Sequence, residues 1–263
     1  MPADATATAP QLPRANALGL GLAAGVLAGL FGVGGGIVLV PGLVWLARLP
    51  QHQAHATSLA AIIVTAPAAL APFVVEDAVS WPAAAALVIG ALVGAVGGAA
   101  VMKRIPAAGL RRLFGVLMVL VAIRLVLPGG AESAVDNAVG VDAVALAGLT
   151  ATGLVTGLLS GLMGVGGGVV MVPAMVVAFG FGQHLAQGTS LAVIIPTALV
   201  GAWRHSHSGY TQWRLGLTVG FGGVGGGLIG GTVAQLLPAD VLQAAFSVLL
   251  AVAGVRLMVP ARR

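Results

Sequence analysis

Two glycine runs are the residues best placed to do chemistry: Gly32-Val33-Gly34-Gly35-Gly36 and, 132 positions later, Gly164-Val165-Gly166-Gly167-Gly168. Each lies in an apolar stretch, where water is not on hand to bond the backbone, and without side chains its N–H groups can approach a ligand closely. A helix beginning after each run, near Ile37 and Val169, would add the unpaired N–H groups and partial positive charge of a helix start. That combination favours an anion. Gly34, Gly35, Gly36, Gly166, Gly167 and Gly168 are therefore the expected substrate-binding backbone. The runs are not phosphate-binding P-loops, because no Lys-Ser or Lys-Thr follows them. Glycine also packs membrane helices closely, and Gly90, Gly94 and Gly98, aligned with Gly222, Gly226 and Gly230, read as such a face.

Polar residues recur beside both runs. Gln51-His52 aligns with Gln183-His184, and Thr57-Ser58 with Thr189-Ser190. The hydroxyls of Thr57, Ser58, Thr189 and Ser190 could cap helix starts or donate to the oxygens of an anion, and both hold if the helix start faces a cavity. His52 and His184, with Gln51 and Gln183, are candidates for relaying protons or touching substrate, since histidine titrates near neutral pH. His52 and His55 have a spacing compatible with a metal pair, but Gln187 replaces the second in the other unit and no carboxylate is near. Neither a metal nor a cofactor is expected. Ser160 and the histidines offer no nucleophile-base arrangement, so no catalytic residue and no enzyme activity are expected.

The elements that must hold these residues follow from composition. Hydrophobic residues make up 59% of the 263-residue chain and charged residues 7%, whereas a soluble domain carries roughly 25% charged residues. The solvent is lipid. The formal charge of +5 resides in short loops between apolar spans, which excludes a nucleic-acid surface. Cysteine is absent, which removes disulfides and thiolate chemistry. Positions 18 to 128 align without a gap on 150 to 260, and 40 of the 111 pairs are identical. The fold class is thus an all-α polytopic membrane protein of two repeats in one membrane domain.

After a polar tail over 1–16, the first repeat (17–128) holds a hairpin over 17–48 and spans over 57–75, 81–101 and 107–127. A linker over 129–146 leads to the second repeat (147–260), with a hairpin over 147–180 and spans over 189–204, 213–235 and 240–258. The glycine run divides each hairpin region into pieces of about 13 to 17 residues, some 20 to 25 Å if helical, against a hydrocarbon core of about 30 Å. Basic loops stay in the cytoplasm. Lys103, Arg104, Arg111 and Arg112 place one loop inside, while Glu132, Asp136 and Asp142 place the linker outside. Arg204 and Arg214 flank an inner loop, the Asp240 turn lies outside and Arg262-Arg263 inside. Parity then makes each glycine region enter and leave on one face, from opposite sides in the two repeats. The topology is inverted, both termini are cytoplasmic, and the two glycine turns should meet near the midplane.

The repeated glycine run followed by a proline (Pro41, Pro173), with the Gly188-Thr189-Ser190-Leu191 segment, resembles the TauE/SafE sulfite-exporter family, also called the TSUP permeases. The first repeat departs from it at Ala56, where the second has Gly188. The resemblance implies a bacterial or archaeal cytoplasmic (inner) membrane protein that moves sulfite, organosulfonates or related small sulfur anions, usually outward. The expected function is secondary transport of such an anion by alternating access; the alternative is a passive anion channel of the same architecture. Expected partners are the anion and the lipid bilayer, with a homodimer left open.

Overall fold

In a computed structural model the chain is described over residues 12–101, 107–126, 143–163, 167–207 and 209–258. Gly166, the Lys103-Arg104 pair, the linker acids Glu132, Asp136 and Asp142, and Arg262-Arg263 lie outside these residues. Ten α-helices and no strand form among the described residues: α1 (Arg14–Phe31), α2 (Gly36–Leu46), α3 (Gln51–Val75), α4 (Trp81–Val101), α5 (Ala107–Val126), α6 (Ala143–Met163), α7 (Gly168–Phe179), α8 (Gln183–His207), α9 (Trp213–Leu236) and α10 (Ala239–Met258). Six of them, α1, α3, α6, α8, α9 and α10, contain stretches long and apolar enough to cross a membrane. The chain is a polytopic membrane protein.

The helices flanking each glycine run are unequal. α1 has 18 residues and α6 has 21, whereas α2 has 11 and α7 has 12. At 1.5 Å per residue α1 is about 27 Å long and α2 about 16 Å. The expected pair of short pieces is therefore a long arm and a short one, because α1 extends back to Arg14 behind Pro13, which suits the position before a first turn. α3 and α8 also begin earlier than their apolar runs, at Gln51 and Gln183. Polar residues can occupy those first turns because the helix packs on protein there: Ala54, Ala56, Thr57, Ala186, Gln187 and Gly188 are all buried.

The two units do not form separate bundles. α1 lies parallel to α9, with Leu18, Leu22 and Val26 opposite Gly222, Gly226 and Gly230. α6 lies parallel to α4 in the same way, Thr150 and Leu154 opposite Gly90 and Gly94. These contacts map onto each other residue by residue at the offset of 132. α3 also runs parallel to α9, whose second face carries Gly216, Gly220, Gly223, Gly227 and Gly231. The aligned face of α4 carries Ala84, Val88, Ala91, Ala95 and Ala99 instead, so it cannot bring a neighbouring backbone as close. α3 and α8 are equivalent and antiparallel, Gly188 meeting Phe73 and Gly201 meeting Leu59. α5 and α10 are antiparallel as well, Gly254 against Gly115 and the Gln243 amide donating to the Leu125 carbonyl at 2.8 Å.

Outward faces are apolar. Ile89 and Val93 of α4, Leu120 of α5, Phe221 and Ile229 of α9 and Val248 of α10 are exposed, which suits a hydrocarbon surround. All four tryptophans, Trp45, Trp81, Trp203 and Trp213, are exposed at or near helix ends, where an amphipathic ring anchors in the headgroup region. Inside, the short helix α2 is buried with α1, α3, α8 and α9, and α7 with α4, α5, α8 and α10.

Glycine-to-alanine scanning separates packing from spacing. A Cβ on Gly25 would strike the Gly223 carbonyl and one on Gly94 the Leu154 carbonyl, whereas Gly19 and Gly97 have nothing within 4 Å. Gly25→Ala and Gly94→Ala should each lose about 1–3 kcal/mol by overpacking, and Gly19→Ala and Gly97→Ala should gain roughly 0.5–1 kcal/mol from helix propensity. Thermal unfolding in detergent checks this; equal shifts in all four would refute the close seams.

Candidate functional site

α2 and α7 each start from a left-handed glycine. Gly35 (φ 75°) and Gly167 (φ 73°) occupy the N-cap positions, a conformation open to glycine and strained for a β-branched residue. Glycine brings no capping side chain, so neither helix start has a side-chain cap. The N–H groups of Val38 and Leu39 bond to the Gly35 carbonyl, and those of Val170 and Met171 to the Gly167 carbonyl. The two N–H groups ahead of them in each helix, on Gly36 and Ile37 and on Gly168 and Val169, precede the first intrahelical acceptor.

The start of α7 meets the first glycine turn. A Cβ built on Gly168 would lie 2.8 Å from the Gly32 carbonyl oxygen and 2.8 Å from the Val33 Cα. Gly34, Gly35, Gly36, Gly167 and Gly168 are all buried. Ile194 closes the same space, its Cγ2 3.1 Å from a Cβ built on Gly34.

α8 lines the first turn with a polar stripe. Gln187 packs its Cα and Cβ on Gly32, and Ile194, two helical turns on, packs on Gly34 and Gly168. Ser190 falls on that face between them, and Gln183 stands one turn before Gln187. Gln187 and Ser190 are 0% exposed and Gln183 is 4% exposed, yet both amide atoms of each glutamine and the Ser190 hydroxyl have no hydrogen-bond partner among the described residues. A buried polar group left so costs about 1–3 kcal/mol, and in native proteins such groups mark strain, function or an ion. Gln187 is not among the residues singled out from sequence. Its signal was that both aligned positions, His55 and Gln187, are polar within otherwise apolar helices.

The remaining candidates divide. Ser58 is buried and donates to the His55 carbonyl at 2.8 Å. His55 Nδ1 is buried without a partner, while Gln51 and His52 are exposed, the His52 ring 6.1 Å from that of Tyr210. His184 is committed to α9: its Nε2–H donates to the carbonyls of Ala234 (3.0 Å) and Leu237 (3.2 Å), which closes the end of that helix. His52 and His184 thus serve different surroundings despite their alignment. Thr57 and Thr189 do cap helices, though not their own. Thr57 Oγ1 accepts the N–H of Gln212 at 3.2 Å, and Thr189 Oγ1 accepts the N–H of Ser80 at 3.0 Å. Gln212 and Ser80 are aligned residues immediately before α9 and α4. Among the described residues no group of three or more histidine, aspartate or glutamate side chains gathers as a metal would require.

The threonines give a direct check. Thr57→Val and Thr189→Val should each lower stability by about 1 kcal/mol, the loss of one capping bond, with shifts that add in the double variant. Thermal unfolding measures it, and an unchanged midpoint in either single variant would remove the capping role.

Comparison with known proteins supplies the context of this site. The model of the family "Sulfite exporter TauE/SafE" matches residues 3–146 and 149–263. The chain is 30% identical over 260 residues to the probable membrane transporter protein YunE of Bacillus subtilis, covering 91% of this chain and 95% of that one. It is 29% identical over 227 residues to a probable membrane transporter protein of Xylella fastidiosa, covering 85% of each. A probable membrane transporter protein of Methanocaldococcus jannaschii, MJ0441, is 28% identical over 188 residues, or 69% of this chain and 68% of that one. No solved structure matches the chain at a significant level. With its glycine-broken helices, its apolar exterior and a family match that spans both units, the chain belongs to the sulfite exporter TauE/SafE family of membrane transporters.

Proposed function

We propose that this chain exports a small sulfur-containing anion, sulfite or an organosulfonate, across the cytoplasmic (inner) membrane by alternating access, with both termini in the cytoplasm. One observation carries the reading: the uncapped start of α7 meets the first glycine turn at Gly32-Val33, buried, beside a helix face with unpartnered amides. Helix starts concentrate N–H donors and partial positive charge, and near the middle of a bilayer such ends typically hold a transporter's anionic substrate. The family description, which names sulfite export, supports the sulfur class. The antiparallel packing of α3 on α8 and of α5 on α10 supports inverted halves, which can present one site to each side in turn.

Apart from Asp240, the first residue of the last expected span, no aspartate or glutamate lies within the sequence of an expected span. Acidic side chains are what a cation pathway commonly uses. The charged groups whose side chains are described support the same choice: Arg14, Arg48, Glu76, Asp77, Arg124, Arg204, Arg214, Asp240 and Arg256 are all exposed. Substrate attraction in the buried site therefore rests on dipoles and neutral donors.

Flux of labelled sulfite and C2 sulfonates in proteoliposomes tests the function. Saturable flux with counter-exchange is expected; flux that never saturates means a channel, and no flux under any gradient ends the sulfur-anion reading. Gly168→Ala probes the crossing, because Gly168 is helical and the added methyl presses on the first glycine turn and on Ile194. Transport should fall at least tenfold, and wild-type flux would remove the crossing from the site. Valine at Gly35 is a poorer probe, since left-handed strain and a contact 2.7 Å from the Ala24 carbonyl would damage the fold itself. For topology, single cysteines at Ala107 and Ala239 should label from opposite sides of the membrane, and labelling from one side refutes inversion.

A further inference from the structure

Gln183, Gln187 and Ser190 are chemically unusual for a site that attracts anions. They are neutral, and each glutamine offers an acceptor as well as two donor hydrogens. The face they form on α8 is fixed against the first glycine turn by Gln187 on Gly32 and Ile194 on Gly34 and Gly168. Every arginine whose side chain is described lies exposed, so no guanidinium among them faces this stripe. The aligned face of α3 is also without a fixed cation, with Gln51, His55 and Ser58 in the corresponding places.

Charge sets the consequence. The cost of moving an ion into a low-dielectric interior grows with the square of its charge, so a dianion costs about four times as much as a monoanion of equal size. Neutral donors and helix starts carry partial charges, each worth about half a unit or less. They can balance one negative charge and fall short of two. The unpartnered Gln187 and Gln183 amides can in addition accept a hydrogen bond from an oxyanion that keeps a proton, and their N–H groups donate to a singly charged one that has none.

We propose that Gln183, Gln187 and Ser190, with the glycine turn at Gly32–Gly35, form an uncharged half-site that admits its oxyanion only as a monoanion, Gln187 being the residue that sets this preference. The inference rests on the sulfur-anion reading above and narrows it: hydrogensulfite and alkanesulfonates are substrates, whereas the sulfite dianion and sulfate are not. Titratable groups beside the stripe in the chain or across the packing are His184 on α8, Glu76 and Asp77, which precede the Ala78 carbonyl that Gly188 meets, and Asp240, three residues beyond the Leu237 carbonyl that His184 bonds. An alkanesulfonate, singly charged at every pH used, shows whatever their titration contributes.

The experiment uses the full chain in proteoliposomes. Initial rates for sulfite, methanesulfonate and sulfate are measured across the pH range in which hydrogensulfite loses its proton. Sulfite flux should track the hydrogensulfite fraction and fall at least tenfold over that range, methanesulfonate flux should change less than twofold, and sulfate should not move. Gln187→Leu should lose at least tenfold in methanesulfonate flux while unfolding no earlier than the parent, since an apolar residue there leaves no unpartnered amide. Gln187→Glu, with a fixed negative charge, should lose more flux than Gln187→Leu. Sulfite flux independent of pH, sulfate flux comparable to sulfite flux, or wild-type flux in Gln187→Leu would each overturn the monoanion site. Early unfolding of Gln187→Leu would do so too, by showing a structural partner for the amide. Methanesulfonate flux that follows pH as steeply as sulfite would assign the effect to the protein's own groups. Absence of flux for all three ions would instead overturn the transporter reading beneath it.

Discussion

In hydrocarbon a backbone N–H or C=O that lacks a partner costs several kcal/mol, and the helix is the local structure that leaves none in its interior. The rest of this structure depends on how that constraint is met where helices stop. At Gly32–Gly35 and at Gly167 the chain turns while buried, with left-handed glycines that let a helix restart within a few residues. Elsewhere the ends are closed by protein: Thr57 and Thr189 accept the N–H groups ahead of α9 and α4, and His184 donates to the last carbonyls of α9. The ends of α9 and α4 are closed by side chains, and the starts of α2 and α7 are left to bare glycine.

The same economy explains the polar stripe of α8. A helix wholly packed against protein could replace Gln183, Gln187 and Ser190 by apolar residues of similar volume and gain stability, as buried polar groups without partners are costly. Their retention on the face beside the glycine turn is the kind of local inconsistency found at functional sites.

Much of this was legible in the sequence, and the parts that were not share a cause. Helical class and glycine breaks follow from hydropathy and from the doubled run, because those signals are local. The first turns of α3 and α8 were not legible: Gln51-His52-Gln53 reads as loop when lipid is assumed on all sides, and becomes helix because protein covers Ala54, Ala56 and Thr57. Thr57 and Thr189 could be named as caps, but not as caps of α9 and α4, since their partners lie 155 and 109 residues away. Gln187 reads from sequence only as the residue that breaks a metal-like histidine spacing, because its counterpart is His55 and the two positions share polarity without identity. The left-handed sites behave likewise: Arg48 (φ 51°) and Asp77 (φ 52°) stand where the second unit has Gly180 (φ 68°) and Gly209 (φ 72°), so only the glycine half announces the bend.

Backbones that touch through glycine have no side chain between them to absorb a displacement. α1 is joined in this way to α9, and α9 to α3; α6 is joined likewise to α4. Each seam between α1 and α9 or between α6 and α4 couples a helix of one sequence half to a helix of the other. The halves recognised by duplication are therefore bound to each other along these seams. Close glycine contacts gather α1, α9 and α3 into one group and α6 and α4 into another, each assembled from both copies of the repeat. A duplication that began as two equal units has become, in the folded chain, two interlocked parts that neither copy could supply alone.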